Sequence, residues 1–207
     1  LLPRLVPLLQ DEESVAGAAL ESIGSLASLA PGVAIPALLE QVRNAEGARL
    51  YLALTALRSM VEDAAHRGVA PSPSALSEAE APLLRAVKEG ESAIRVEALT
   101  LLGLMGSASA AVQEGVSGRL QDSNPSVAAC AAVALLRLGL PTQAAVALLE
   151  FQLRAVEAPE MQGAAFSAFE DLEPATLTWV KDLLKRVADT SSGLTRASVK
   201  ALLERLT

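Results

Sequence analysis

Few side chains in this chain could do chemistry: one histidine, one cysteine and several adjacent pairs of carboxylates. His66 is the only imidazole, which excludes a His-Glu-x-x-His zinc helix, a facial metal triad on two histidines and any zinc site needing two imidazoles. A thiolate–imidazole pair would have to join Cys130 to His66, which the periodicity described below sets two repeats apart. The acids of Glu12–Glu13, Glu62–Asp63 and Glu170–Asp171 are neighbours in sequence, so on a helix or in a turn they diverge. General acid–base work needs two carboxylates facing one cavity, and nothing in the pattern predicts that. Glycines such as Gly90, Gly106 and Gly139 stand singly where helices should end in a left-handed residue, and none forms a phosphate loop. No catalytic, metal or cofactor residue is assigned, and the expectation is a non-enzyme.

The elements that would position any site are helices. Apolar residues make up 51 % of the 207 and aromatics only 2 %, so the apolar mass is Leu, Ala and Val. Ala and Leu head the helix scale, and the residues strands prefer are scarce. The formal charge of −7 argues against a nucleic-acid backbone as ligand. It is unevenly spread, because residues 181–207 hold Lys181, Lys185, Arg186, Arg196, Lys200 and Arg205 against three acids. That end is read either as a docking pole or as two solvated helix faces. No run of about 18 apolar residues predicts a membrane span. The single Cys130 forbids an internal disulfide and is compatible with a reducing cytoplasm. The chain opens at "LLPRLVPLLQ", already in a helical pattern, so an excerpt of a longer protein is expected; its Ala, Leu, Val and Gly richness leans towards a bacterial source.

A repeat organises these helices. Anchors fall at Val15, Ala48, Ile94, Val127, Met161 and Leu194, at spacings of 33, 46, 33, 34 and 33. Four positions on stand Ala19, Leu52, Ala98, Ala131, Ala165 and Ser198, mostly small; eight positions on stand Ile23, Ala56, Leu102, Leu135, Phe169 and Leu202, mostly large. Positions 0, +4, +5 and +8 share one side of a 3.6-residue helix and predict a buried stripe in each copy. A second amphipathic stretch precedes each anchored helix, as in "VAIPALLEQVRN" (33–44), and turn-formers such as "DSNP" separate the two. Two helices per 33 or so residues bury their stripes only by stacking on neighbours.

The second helices resemble those of HEAT repeats, armadillo-type α-solenoids whose second helix commonly begins Asp-x-x-Pro-x-Val-Arg-x-x-Ala and ends near Leu-Gly. Asp122, Pro125, Val127, Ala131 and Gly139 match, with Ala128 where Arg is usual; Ile94, Arg95, Ala98 and Gly106 match in a second copy, and Arg49 keeps the basic position in a third. The resemblance implies an all-α, right-handed solenoid of about six helix pairs, one domain over 1–207. The 46-residue interval predicts an inserted loop at 66–80, where Pro71 and Pro73 should interrupt a helix.

In HEAT-like stacks the second helices line the concave side, where positions +3, +6, +7 and +10 lie outside the buried stripe. They predict a groove floored by Leu54, Leu101, Leu104 and Val133 with Tyr51, Arg58, Glu97 and Arg137 beside it. An apolar centre with aromatic and Arg anchors suits a protein partner presenting a helix or an extended peptide; alternatively these residues only widen the core. The function expected is a scaffold or adaptor. The runner-up, implied by HEAT-like lyase subunits, is an apolar groove holding a tetrapyrrole or another apolar small molecule. Trp179 belongs either to the core or to an interface with a further repeat.

Overall fold

The computed structural model describes residues 1–26, 31–67, 73–106, 109–140, 143–170 and 178–205, without the side chains of 65, 66, 73–76, 170, 178, 179 and 205. Among the described residues there are twelve α-helices and no strand. They are α1 (Leu2–Leu5), α2 (Glu13–Leu26), α3 (Pro31–Asn44), α4 (Gly47–His66), α5 (Pro73–Glu89), α6 (Ser92–Met105), α7 (Ala110–Ser117), α8 (Pro125–Arg137), α9 (Gln143–Arg154), α10 (Pro159–Glu170), α11 (Thr178–Thr190) and α12 (Gly193–Arg205). All six anchors fall on even-numbered helices, so the counted period is the helix-pair period.

Two compact units divide the described chain, Leu1–Gly115 and Val116–Thr207. Within the first, α2 packs on α4 and α4 on α6, so the second helices form a layer; α3 packs on α4 and α5, and α5 on α6. Within the second, α8 packs on α9 and α10, α9 on α10 and α11, and α11 on α12.

The cores follow the stripe. At +5, Leu20, Ala53, Leu99, Ala132 and Val199 are buried, and at +8 so are Ile23, Ala56, Leu102, Leu135, Phe169 and Leu202. Small residues set how close the helices come: a Cβ added to Gly24 would lie 3.0 Å from the Cα and Cβ of Ala56 on the neighbouring second helix. The anchor position itself is buried only at Ile94 and Val127; Val15 and Met161 are half-buried, and two copies depart further. Ala48 is exposed on the first turn of α4, and in α12 the buried residue is Thr195, whose hydroxyl lies 3.0 Å from Gln162 Nε2, while Leu194 faces solvent.

Helix ends obey local chemistry. Asn124 caps α8, its side-chain oxygen accepting from the amides of Ser126 at 2.9 Å and Val127 at 3.3 Å, and Pro125 takes the first helical position. The same helix closes on Gly139 at φ 69°, with the Leu140 amide donating to Leu135 O at 2.9 Å. Gly90 is there for another reason than expected. It has no left-handed φ, but a side chain would sit 2.5 Å from Ile94 Cγ2 and 2.6 Å from Ala86 O.

Most of the predicted 66–80 loop is helix. The surplus of the long interval is built into α4, of 20 residues, and α5, of 17, against 14 in α3 and α6. Pro73 opens α5 instead of breaking it, because the first-turn amide it lacks would have no helical acceptor. Pro82, inside α5, forfeits one rung and is tolerated in a helix whose Leu83, Ala86 and Val87 are buried. Pro71 lies outside the described residues.

Candidate functional site

The layer of second helices in the first unit carries six of the eight residues singled out from spacing. Tyr51 on α4 is 38 % exposed, and its carbonyl accepts a hydrogen bond from the Thr55 hydroxyl at 2.9 Å. About two turns further on, Arg58 is three-quarters withdrawn from solvent, and its Nε lies 2.9 Å from a carboxylate oxygen of Glu97 on α6. Glu62 stands 3.4 Å from the same guanidinium. Leu104, near the end of α6, is half-buried. The second helices of the first unit thus carry an exposed aromatic, an arginine between two carboxylates and a partly accessible leucine.

The expected apolar floor is a correction. Leu54 and Leu101 have no exposed surface, and Val133 in the second unit is buried as well. The physical reason is helix approach: Ala and Gly at the contact positions bring neighbouring second helices close enough to cover +6 and +7, so these side chains join the core. An open apolar channel for a tetrapyrrole loses its floor by the same packing. Arg137, also in the second unit, is half-buried.

Position by position, the arginines that match the HEAT pattern bind backbone. Arg49 donates to the Leu9 carbonyl, reaching the turn of the preceding copy. Arg95 donates to Gly90 O at 3.3 Å and to Ser92 Oγ at 3.2 Å. They hold turns.

Spacing missed an open cleft of about 330 Å³ in the first unit, between the α3–α4 and α5–α6 turns. Leu50 and Ile94 line it together with Arg43, Arg85, Glu46 and Glu89. Arg85 donates to the carbonyls of Val42 at 3.1 Å and Arg43 at 2.5 Å, closing the last turn of α3. A basic residue near the end of both first helices was the only sequence signal, and it reads equally as ordinary helix capping. The cleft mixes both charge signs over a small apolar base, without a constellation for catalysis.

Acidic neighbours diverge as expected: Glu62 turns to Arg58, whereas Asp63 pairs with Arg67 at 3.0 Å. No group of three metal-ligating side chains exists among the described residues. Cys130 is a half-buried thiol. The side chains of His66, Trp179 and the pair Glu170–Asp171 lie outside the described residues. No described helix is long and apolar enough to cross a membrane. At the basic end, Lys185, Arg186, Arg196 and Lys200 are exposed, with Arg186 3.6 Å from Glu150.

These helix pairs and their packing define an armadillo/HEAT-like α-solenoid. Solved structures agree. A designed armadillo repeat protein superposes with a TM-score of 0.59 at 14 % identity, covering 100 % of both chains. An engineered protein crystallised as a structural-genomics target gives 0.59 at 15 % identity, covering 99 % of this chain and 96 % of its own. No protein-family model matches the sequence, and no curated protein is similar to it.

Proposed function

We propose that this chain is a non-enzymatic scaffold that binds another protein along the second-helix ridge of its first unit. Armadillo-like repeat folds generally serve as protein-binding scaffolds, and the observation that carries the reading to a place is Tyr51: an exposed aromatic on the same second helix as Arg58, about two turns before it. Aromatic and Arg anchors dominate the energetics of protein interfaces. The partner segment is a helix or extended peptide lying across α4 and α6, touching Tyr51 and Leu104 and skirting the ion pair. A half-buried single thiol suits a cytoplasmic setting.

The experiment is photo-crosslinking in the source cells from a reactive residue at position 51, with the same group at the exposed Glu40 of α3 as control. A defined protein captured from position 51 and weakened by Leu104→Asp is the expected result. Equal capture from both positions, or capture only from position 40, overturns the ridge as the binding face.

A further inference from the structure

The first unit is acidic, and most of its cations are turned inward. Leu1–Gly115 holds fourteen acids against eight bases, whereas Val116–Thr207 holds ten against nine. Six of those eight bases have partners inside the unit. Arg43 meets Glu78, Arg58 meets Glu97 and Arg67 meets Asp63, while Arg49, Arg85 and Arg95 donate to backbone carbonyls. The charge left without an internal partner among the described residues is therefore mostly acid.

Three of these acids meet at the cleft between the α3–α4 and α5–α6 turns. Glu46, Glu89 and Glu91 line it, all exposed, and none has an ion-pair partner among the described residues. Glu91 stands at the N-cap of α6, yet its carboxylate makes no capping hydrogen bond. Glu89 is the last residue of α5, at the negative end of the helix dipole, where a carboxylate lowers stability. Neither arginine of the lining answers them: Arg85 reaches the carbonyls of Val42 and Arg43, and Arg43 lies 3.3 Å from Glu78. The same cleft is lined by the buried apolar side chains of Leu50, Ala86 and Ile94.

We propose that this cleft receives an arginine or lysine side chain from a basic segment of a protein partner, the methylenes lying against Leu50 and Ile94 and the charged head among Glu46, Glu89 and Glu91. Long cationic side chains do both at once, covering apolar surface with the stem while the head stays at the wet rim. The volume of about 330 Å³ is at the small end for a ligand pocket and suits one side chain better than a whole helix. An unpaired carboxylate at the wrong end of α5 is then accounted for, because the incoming cation supplies the counter-charge that the fold withholds. The proposal rests on the reading of this chain as a protein-binding scaffold. It does not rest on the ridge, since neither Tyr51 nor Leu104 lines the cleft.

The test is methyl-detected NMR of the whole chain, titrated with an end-capped Ala-Arg-Ala peptide and, in parallel, with the same peptide carrying citrulline, which keeps the shape and lacks the charge. Saturable shifts of the Leu50 and Ile94 methyls are expected with the arginine peptide, weakening as salt rises, and none with citrulline. Glu46→Gln, Glu89→Gln and Glu91→Gln together should weaken binding by about tenfold or more with helicity unchanged. Glu89→Gln alone should weaken binding while raising the urea midpoint, an opposition that a merely structural carboxylate would not show. Absence of saturable shifts at Leu50 and Ile94 overturns the proposal. So do equal shifts with the citrulline peptide, or an affinity that survives the triple substitution. Crosslinking from position 51 is read independently, because these substitutions leave Tyr51 and Leu104 in place, so failure of the cleft and failure of the ridge are separate results.

Discussion

Arg58 Nε lies 2.9 Å from a carboxylate oxygen of Glu97, joining position +10 of one copy to position +3 of the next across α4 and α6. The side chain of Glu97 is 10 % exposed and that of Arg58 25 %, so the pair is largely shielded from water and from salt. In a repeat layer held otherwise by Leu, Ala and Val, it is an ion pair that links two adjacent copies.

Glu97→Ala is expected to destabilise the first unit by about 1–3 kcal/mol, because a guanidinium most of the way out of solvent loses its closest counter-charge. Glu62, 3.4 Å from Arg58, keeps the loss below that of a wholly orphaned charge. Urea unfolding measures it; an unchanged midpoint would mean the pair merely breaks even with hydration.

Two glycines in helices should respond oppositely to alanine. A Cβ on Gly24 meets the backbone and side chain of Ala56 at 3.0 Å, so Gly24→Ala should cost about 1–3 kcal/mol through overpacking. Nothing lies within 4 Å of the corresponding atom on Gly163, exposed within α10, and there the same change should stabilise by about 0.5–1 kcal/mol. Thermal melts of both variants give the comparison, and shifts of the same sign would contradict it.

Asn124→Ala removes the acceptor for the amides of Ser126 and Val127 and should cost about 1 kcal/mol. Asn124→Asp keeps the acceptor and adds a negative charge at the helix start, so it should match wild type in denaturant unfolding or exceed it slightly.

Tyr51 and Leu54 sit three residues apart on α4 and should separate binding from folding. Leu54→Ala is expected to lose about 2–5 kcal/mol of stability, since the side chain is fully buried. Tyr51→Ala should shift stability by roughly 0.5 kcal/mol or less while abolishing crosslinking from neighbouring ridge positions. Circular dichroism and the crosslinking yield, measured on both, check the split.

Much of the fold was legible because its signals are local. Counting from Val127 located all six second helices, and the turn-former "DSNP" marked the break before α8, within which the structure makes Asn124 the cap. The 66–80 segment was misread because Pro73 was taken for a breaker, although at the first position of a helix the same residue is a start. Gly90 was placed correctly at a helix end, yet its cause is the proximity of Ile94 Cγ2 and Ala86 O.

Sequence alone determined the period, the pairing of helices, the buried +5 and +8 positions and the basic character of residues 181–207, all of them properties of spacing and composition along one strand of chain. Tertiary structure decided which residues of the second helices remain at the surface. Leu54, Leu101 and Val133 went inside while Tyr51 stayed out, because exposure depends on how closely a neighbouring helix approaches, and that distance is set by small side chains on a different copy, such as Gly24 against Ala56.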